Sequence, residues 1–148
     1  MATRSPLVLV SGQIQQLQAG DSINVPQSGG DVAVLTNDDI GAHAAGDIVY
    51  ADTNDGAKKA KADAAGTTGA IAIAAGAISA SASGSYMVAG VLTGLTGLVA
   101  GTEYYLSAAT AGLLTATAPS TPGQYVVKVG RAVSTTELMI NIERPILL

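Results

Sequence analysis

The chain has 148 residues, a length typical of one compact domain, and it contains no cysteine, so disulfide bonds, thiolate metal sites and cysteine nucleophiles are excluded. Its formal net charge is −4, which argues against direct nucleic-acid binding because a phosphate-binding surface needs clustered basic residues. Charged residues make up 12% of the chain, about half of the roughly 25% typical of soluble domains, so either small polar residues keep the surface solvated or partners cover it.

The apolar residues are small. They account for 48% of the chain, but there is no Phe and no Trp, so the core must be built from Val, Ile, Leu and Ala. No apolar run approaches the roughly 20 residues of a membrane span, and the run at 7–10 is too short for a signal peptide. We therefore expect no membrane association.

The first segment, residues 1–27, is predicted to be an extended N-terminal arm. It is rich in Gln and apolar residues and ends in a Pro and Gly cluster at 26–30. An exposed strand-like segment is a ready template for pairing with another chain, whereas the alternative is an edge strand of the chain's own domain. The residues expected to bind a partner are Leu7, Val8, Leu9, Val10, Ile14 and Leu17.

The remainder, residues 28–148, is predicted to be a β domain. Short apolar stretches alternate with Gly, Ser, Asn and Asp turns, and no long amphipathic helix is evident. The one competing helix is residues 57–65, which are rich in Ala and Lys. The fold class is therefore all-β, a small sandwich or barrel of short antiparallel strands. The first five predicted strands span residues 32–36, 48–51, 57–62, 70–74 and 86–92.

Residues 101–142 predict two successive β-hairpins. In the first, residues 104–108 return through 113–118, and in the second, residues 125–133 return through 137–143. The last strand alternates cleanly, with one face formed by Leu138, Ile140 and Ile142 and the other by Met139, Asn141 and Glu143.

Residues that could support metal binding or catalysis do not form a convincing site. The turn that begins at Asp52 departs from a calcium loop in the position of its glycine and in the three lysines that follow. His43 is the single histidine, and we expect it to face solvent or an interface. Asp38 and Asp39 are adjacent, so they are better turn formers than a cooperating acid and base. We expect no enzymatic activity, no cofactor and no metal.

The chain ends on three large apolar residues after Pro145 stops the final strand. Burying one such side chain is worth roughly 1.5–3 kcal/mol, so leaving all three in water would forgo a sizeable stabilisation. The alternative is a frayed terminus. We expect packing against the domain or a subunit interface formed by Ile146, Leu147 and Leu148.

Two stretches resemble virion proteins of tailed bacteriophages. The arm SPLVLVSGQIQQLQAGD is similar to the opening or linker segments of fibre and virion-surface proteins. AGDIVYAD, followed by GLVAGTEYYLSAATAGLLTATAPSTPGQYVVKVGRAVSTTELMINI, resembles the small β domain of capsid decoration proteins and of head and tail fibres.

This resemblance implies a non-enzymatic structural protein, a capsid decoration or cement protein that binds the outer capsid surface and stabilises the shell. The implied partners are the major capsid protein and two further copies in a homotrimer, with no nucleic acid and no membrane. Such a protein would be made in the host cytoplasm and located on the virion. The alternative is a head-fibre or tail-fibre base or adaptor protein.

Overall fold

A computed structural model of the chain describes residues 30–148 and two short strands of the arm. The arm strands, β1 (Leu7–Val10) and β2 (Gln13–Gln16), pair antiparallel as a hairpin, with Leu7 opposite Gln16. Ile14 therefore belongs to a strand, and Leu17 lies outside the described residues. The described part is all-β, as predicted, and it contains no helix.

The first half forms a closed five-stranded barrel in the order β3-β5-β4-β6-β7. Four of the five strand pairs are antiparallel, but β3 and β5 run parallel over a short register, with Thr36 opposite Gly56. The strands are β3 (Val32–Asn37), β4 (Ile48–Ala51), β5 (Gly56–Lys59), β6 (Ala70–Ala74) and β7 (Ser83–Met87).

Alternation along the barrel strands creates two separate apolar cores. On β4, Val49 packs in one buried cluster and its neighbour Ile48 packs in the other. Neighbouring residues on β6 and on β7 likewise pack in different clusters. A five-stranded barrel leaves little interior space, so its inner cluster is built largely from alanine around one tyrosine. The buried members of this inner cluster are Val49, Ala57, Ala72, Ala74, Ile78 and Tyr86.

The second half forms a five-stranded sheet in the order β10-β9-β12-β13-β8. Both predicted hairpins are present: β9 pairs with β10, and β12 pairs with β13. Residues of this sheet share the larger core with the barrel, which joins the two halves into one packed body. The strands are β8 (Gly90–Leu92), β9 (Glu103–Leu106), β10 (Leu114–Thr115), β12 (Lys128–Ala132) and β13 (Leu138–Ile140).

Three expectations about individual strands need revision. The predicted strand 86–92 is divided, because the chain leaves the barrel after β7 and enters the sheet at Gly90, whose φ of 100° favours glycine. The predicted strand 125–133 is divided at Val127 into β11 (Tyr125–Val126) and β12. The alternative helix at 57–65 is wrong, since those residues form the end of β5 and the turns after it.

A two-stranded ribbon completes the fold. β11 pairs antiparallel with β14 (Ile146–Leu147), and the Leu148 N–H donates to the Gln124 carbonyl. The ribbon is tied to the body by the Tyr125 N–H, which donates to the Ala62 carbonyl. Among the described residues, no helix could cross a membrane.

Candidate functional site

The exposed apolar side chains are unevenly distributed over residues 30–148. Seven of the eleven large exposed ones lie in residues 90–148, the half that contains the sheet and the ribbon. Large apolar groups that water covers in the single chain are the groups a partner would bury. The seven are Val99, Leu113, Val133, Met139, Ile146, Leu147 and Leu148.

The ribbon carries the densest group of them. Ile146 is 62% exposed, Leu147 61% and Leu148 44%, although the backbone around them is hydrogen bonded to β11. Covering what remains exposed is worth about 1 kcal/mol for each side chain, since 44–62% of the surface of each is still in water and full burial is worth roughly 1.5–3 kcal/mol. The structure thus places Ile146 and Leu147 on β14 and Leu148 directly after it, and the contact of these three residues with another subunit stays a prediction.

The net charge lies in the other half of the described residues. Residues 30–89 carry seven aspartates and three lysines, a net charge of −4, whereas the three glutamates of residues 90–148 are balanced by one lysine and two arginines. The barrel half is therefore acidic, and the half with the exposed apolar groups is electrically neutral. A neutral apolar surface costs less to desolvate than a charged one.

A cleft of about 340 Å³ opens between the barrel and the sheet. Loop 44–47, which precedes β4, forms one side, and loop 94–98, between β8 and β9, forms the other. Gly46, with a φ of 90°, allows the two loops to approach, since a Cβ there would lie 2.8 Å from the Leu95 side chain. The larger side chains along its walls are Leu95, Leu98, Tyr104, Leu113 and Leu114.

Two polar side chains that line the cleft already have partners. Asp47 accepts the Ala44 N–H at 2.8 Å and lies 2.9 Å from the Lys59 ammonium. The Tyr104 hydroxyl accepts the Val99 N–H at 3.0 Å. Both side chains are held in place by these contacts, and the leucines on the walls give the cleft apolar surface for contact with apolar side chains.

His43 is buried, which corrects the expectation that it faces solvent or an interface. It is 1% exposed and pairs through an isolated bridge with Ile78. Its Nδ1 lies 2.8 Å from the Tyr86 hydroxyl, and its Nε2 lies 2.8 Å from a carboxylate oxygen of Asp39. The burial follows from tertiary contacts, because Tyr86 is 43 residues away in the chain.

One arrangement of protons satisfies both hydrogen bonds that join Asp39, His43 and Tyr86. An imidazole protonated at Nε2 donates to Asp39, and its Nδ1 accepts the hydrogen of the Tyr86 hydroxyl. Burial, followed by the nearby carboxylates of Asp39 and Asp47, raises the pKa of the Tyr86 phenol, which keeps it a donor. Asp39 also accepts the Lys59 N–H, so it fixes the loop to β5 and does more than form a turn.

The residues of the calcium-like turn are engaged in ion pairs. Asp52 lies 2.6 Å from the Lys58 ammonium, and Asp63 lies 2.7 Å from that of Lys61. The Lys61 ammonium lowers the pKa of Asp63 through a hydrogen bond. Within the described residues, no group of three or more acidic or histidine side chains is arranged to hold a metal ion.

The cleft is not evident from the sequence. Leu95 and Leu98 lie between the predicted strands 86–92 and 104–108, and their meeting with loop 44–47 depends on contacts between distant segments. The glycines at 94 and 97 were the available signal, because both have positive φ and shape the loop that forms one wall.

No family model matches the chain, and searches among curated proteins and solved structures find no match.

Proposed function

We propose that the protein is a structural component of a tailed-phage virion, a decoration or cement protein that binds the outer capsid surface and stabilises the shell. The chain would assemble as a homotrimer on the major capsid protein, with the arm of residues 1–27 reaching the shell or an adjacent copy.

The observation that carries this proposal is the division of the surface. The exposed apolar side chains concentrate in the neutral half of the chain, while the net charge of −4 lies in the barrel half. A protein that covers a shell needs a face to bury and a face that stays solvated. Residues 90–148, which contain the sheet and ribbon, supply the first, and the acidic barrel half supplies the second.

Weak contacts are sufficient for such a role. Each of the three ribbon residues offers about 1 kcal/mol on burial, which is too little for tight binding by one copy. Repetition by symmetry converts modest contacts into strong overall attachment, because further binding events become intramolecular.

The test compares capsids of the encoding phage with and without the protein. Capsids that contain it are expected to rupture at a higher temperature and a higher indentation force, and purified labelled protein is expected to bind capsids that lack it. Equal resistance of the two preparations, or no binding, would contradict the proposal.

A head-fibre or tail-fibre base or adaptor is the second candidate. The cleft favours it, since a leucine-lined recess on a rigid β scaffold suits an attached peptide or receptor segment. A fibre component would be present at few sites on the particle, so its removal would abolish adsorption without lowering the rupture temperature.

A further inference from the structure

We infer that copies of this chain associate head to tail, with the apolar ribbon residues 146–148 of one copy occupying the barrel–sheet cleft of a second copy. The inference deepens the proposed function and rests on it in taking the chain to act as an assembly.

The two surfaces match in apolar character and in size. The ribbon presents three aliphatic side chains that are 44–62% exposed, and the cleft is a recess of about 340 Å³ with leucine walls. This volume lies near the lower end of the roughly 300–1,000 Å³ typical of binding clefts, which suits a few aliphatic groups. Inside the recess, Asp47 accepts the Ala44 N–H and pairs with Lys59, and the Tyr104 hydroxyl accepts the Val99 N–H.

The ribbon can also dock through its backbone. Within the described residues, β14 has one hydrogen-bonded neighbour, β11, so its other edge is open. An open edge strand binds by adding main-chain hydrogen bonds while alternate side chains enter pockets.

Near the two surfaces, the carboxylates of Glu143 and Asp47 are paired with Lys128 and Lys59. One further charge lies near each surface, and these two charges have opposite signs. Arg144, two residues before the ribbon strand, is exposed, and Glu137 is half-buried and adjoins the cleft, since the carbonyl of its neighbour Thr136 accepts the Leu95 N–H. Neither side chain forms an ion pair with another residue of the described part. In a head-to-tail contact, Arg144 of one copy faces Glu137 of the next. Such a pair mainly fixes the register, and apolar burial supplies the affinity.

Because the two surfaces differ, the contact is heterologous. A heterologous contact produces a closed ring when its rotation closes and an open filament when it does not. A ring would account for a small symmetric oligomer without any self-complementary patch.

A charge-swap experiment on purified protein, without capsids, tests the inference. Sedimentation at increasing concentration is expected to show wild-type self-association, and Arg144→Glu or Glu137→Arg alone should weaken it roughly tenfold, as attraction becomes repulsion. The double variant, which keeps the wild-type net charge, should return to within about threefold of wild type. An equimolar mixture of the two single variants should associate more strongly than either variant alone, since a ribbon of one variant then meets an oppositely charged cleft of the other, although one of the three contacts in a ring of three stays repulsive.

The matched control is Asp31→Arg, which changes the net charge as Glu137→Arg does but lies on the barrel half, and it should leave association unchanged. A wild-type protein that stays monomeric at every concentration would overturn the inference, as would single variants that associate normally or a double variant that is not rescued. Capsid binding by a monomeric wild-type protein would reject this contact and leave the virion proposal standing.

Discussion

Among single residues, the most constrained are Asp39, His43 and Tyr86, whose side chains are joined by hydrogen bonds. It places a carboxylate, an imidazole and a phenol in consecutive hydrogen bonds of 2.8 Å beside an otherwise apolar barrel interior. Buried polar groups are tolerated when every donor and acceptor is matched, and they are costly when one partner is removed. These three hydrogen-bonded side chains therefore tie loop 38–43 to β7, so the stability of the barrel is sensitive to the loss of a single oxygen atom.

We predict that Tyr86→Phe destabilises the fold by about 1–3 kcal/mol, because the buried Nδ1 of His43 loses its donor while the ring volume is kept. Denaturant unfolding measures the effect. Tyr50→Phe is the matched control, since Tyr50 lies on β4 of the same barrel and its hydroxyl has no hydrogen-bond partner in the described part of the chain. It should change the stability by no more than about 0.5 kcal/mol. Equal effects of the two substitutions would show that the hydrogen bond to His43 contributes nothing.

At the scale of elements, β13 shows how far a local pattern can predict structure. The expected alternation is confirmed: Leu138 and Ile140 are buried and Met139 is 50% exposed. The two hairpins were predictable for the same reason, because each depends on neighbouring segments and a turn. Other features depend on distant contacts, including the parallel pairing of β3 with β5 and the passage of the chain from barrel to sheet near Gly90.

We predict that Leu138→Ala destabilises the protein by about 2–5 kcal/mol, because a fully buried side chain leaves a cavity in the core that the barrel and sheet share. The neighbouring substitution Met139→Ala removes a side chain from the open face and should cost less than about 1 kcal/mol. Thermal or denaturant unfolding measures the stability of both variants against that of the wild-type protein. A larger effect for Met139→Ala would show that the outer face of the sheet is covered in the protein as purified.

The candidate site could be predicted only in part from the sequence. The apolar character of Ile146, Leu147 and Leu148 was evident, and the structure adds that they lie on a paired strand with their side chains largely in water. The cleft was not predictable, because loops 44–47 and 94–98 are far apart in the chain and meet only after the barrel and sheet pack together. The burial of His43 was missed for the same physical reason.

At the scale of the whole molecule, one packed body carries two unlike surfaces. The acidic barrel is suited to remain in solvent, and the neutral half of residues 90–148, with its loops, holds most of the exposed apolar groups. On a capsid, the proposed orientation turns the sheet and ribbon toward the shell and neighbouring copies and the barrel outward. Like charge on the outward surfaces would also keep decorated particles from adhering to one another.

The number of copies on each purified particle distinguishes a decoration protein from a fibre component. Quantitative mass spectrometry against the major capsid protein measures this ratio. A decoration protein that follows the shell's symmetry is expected on the order of hundreds of copies per particle. A count of about a dozen or fewer would contradict the decoration role and favour a fibre or vertex component, and complete absence from the particle would contradict the virion proposal itself.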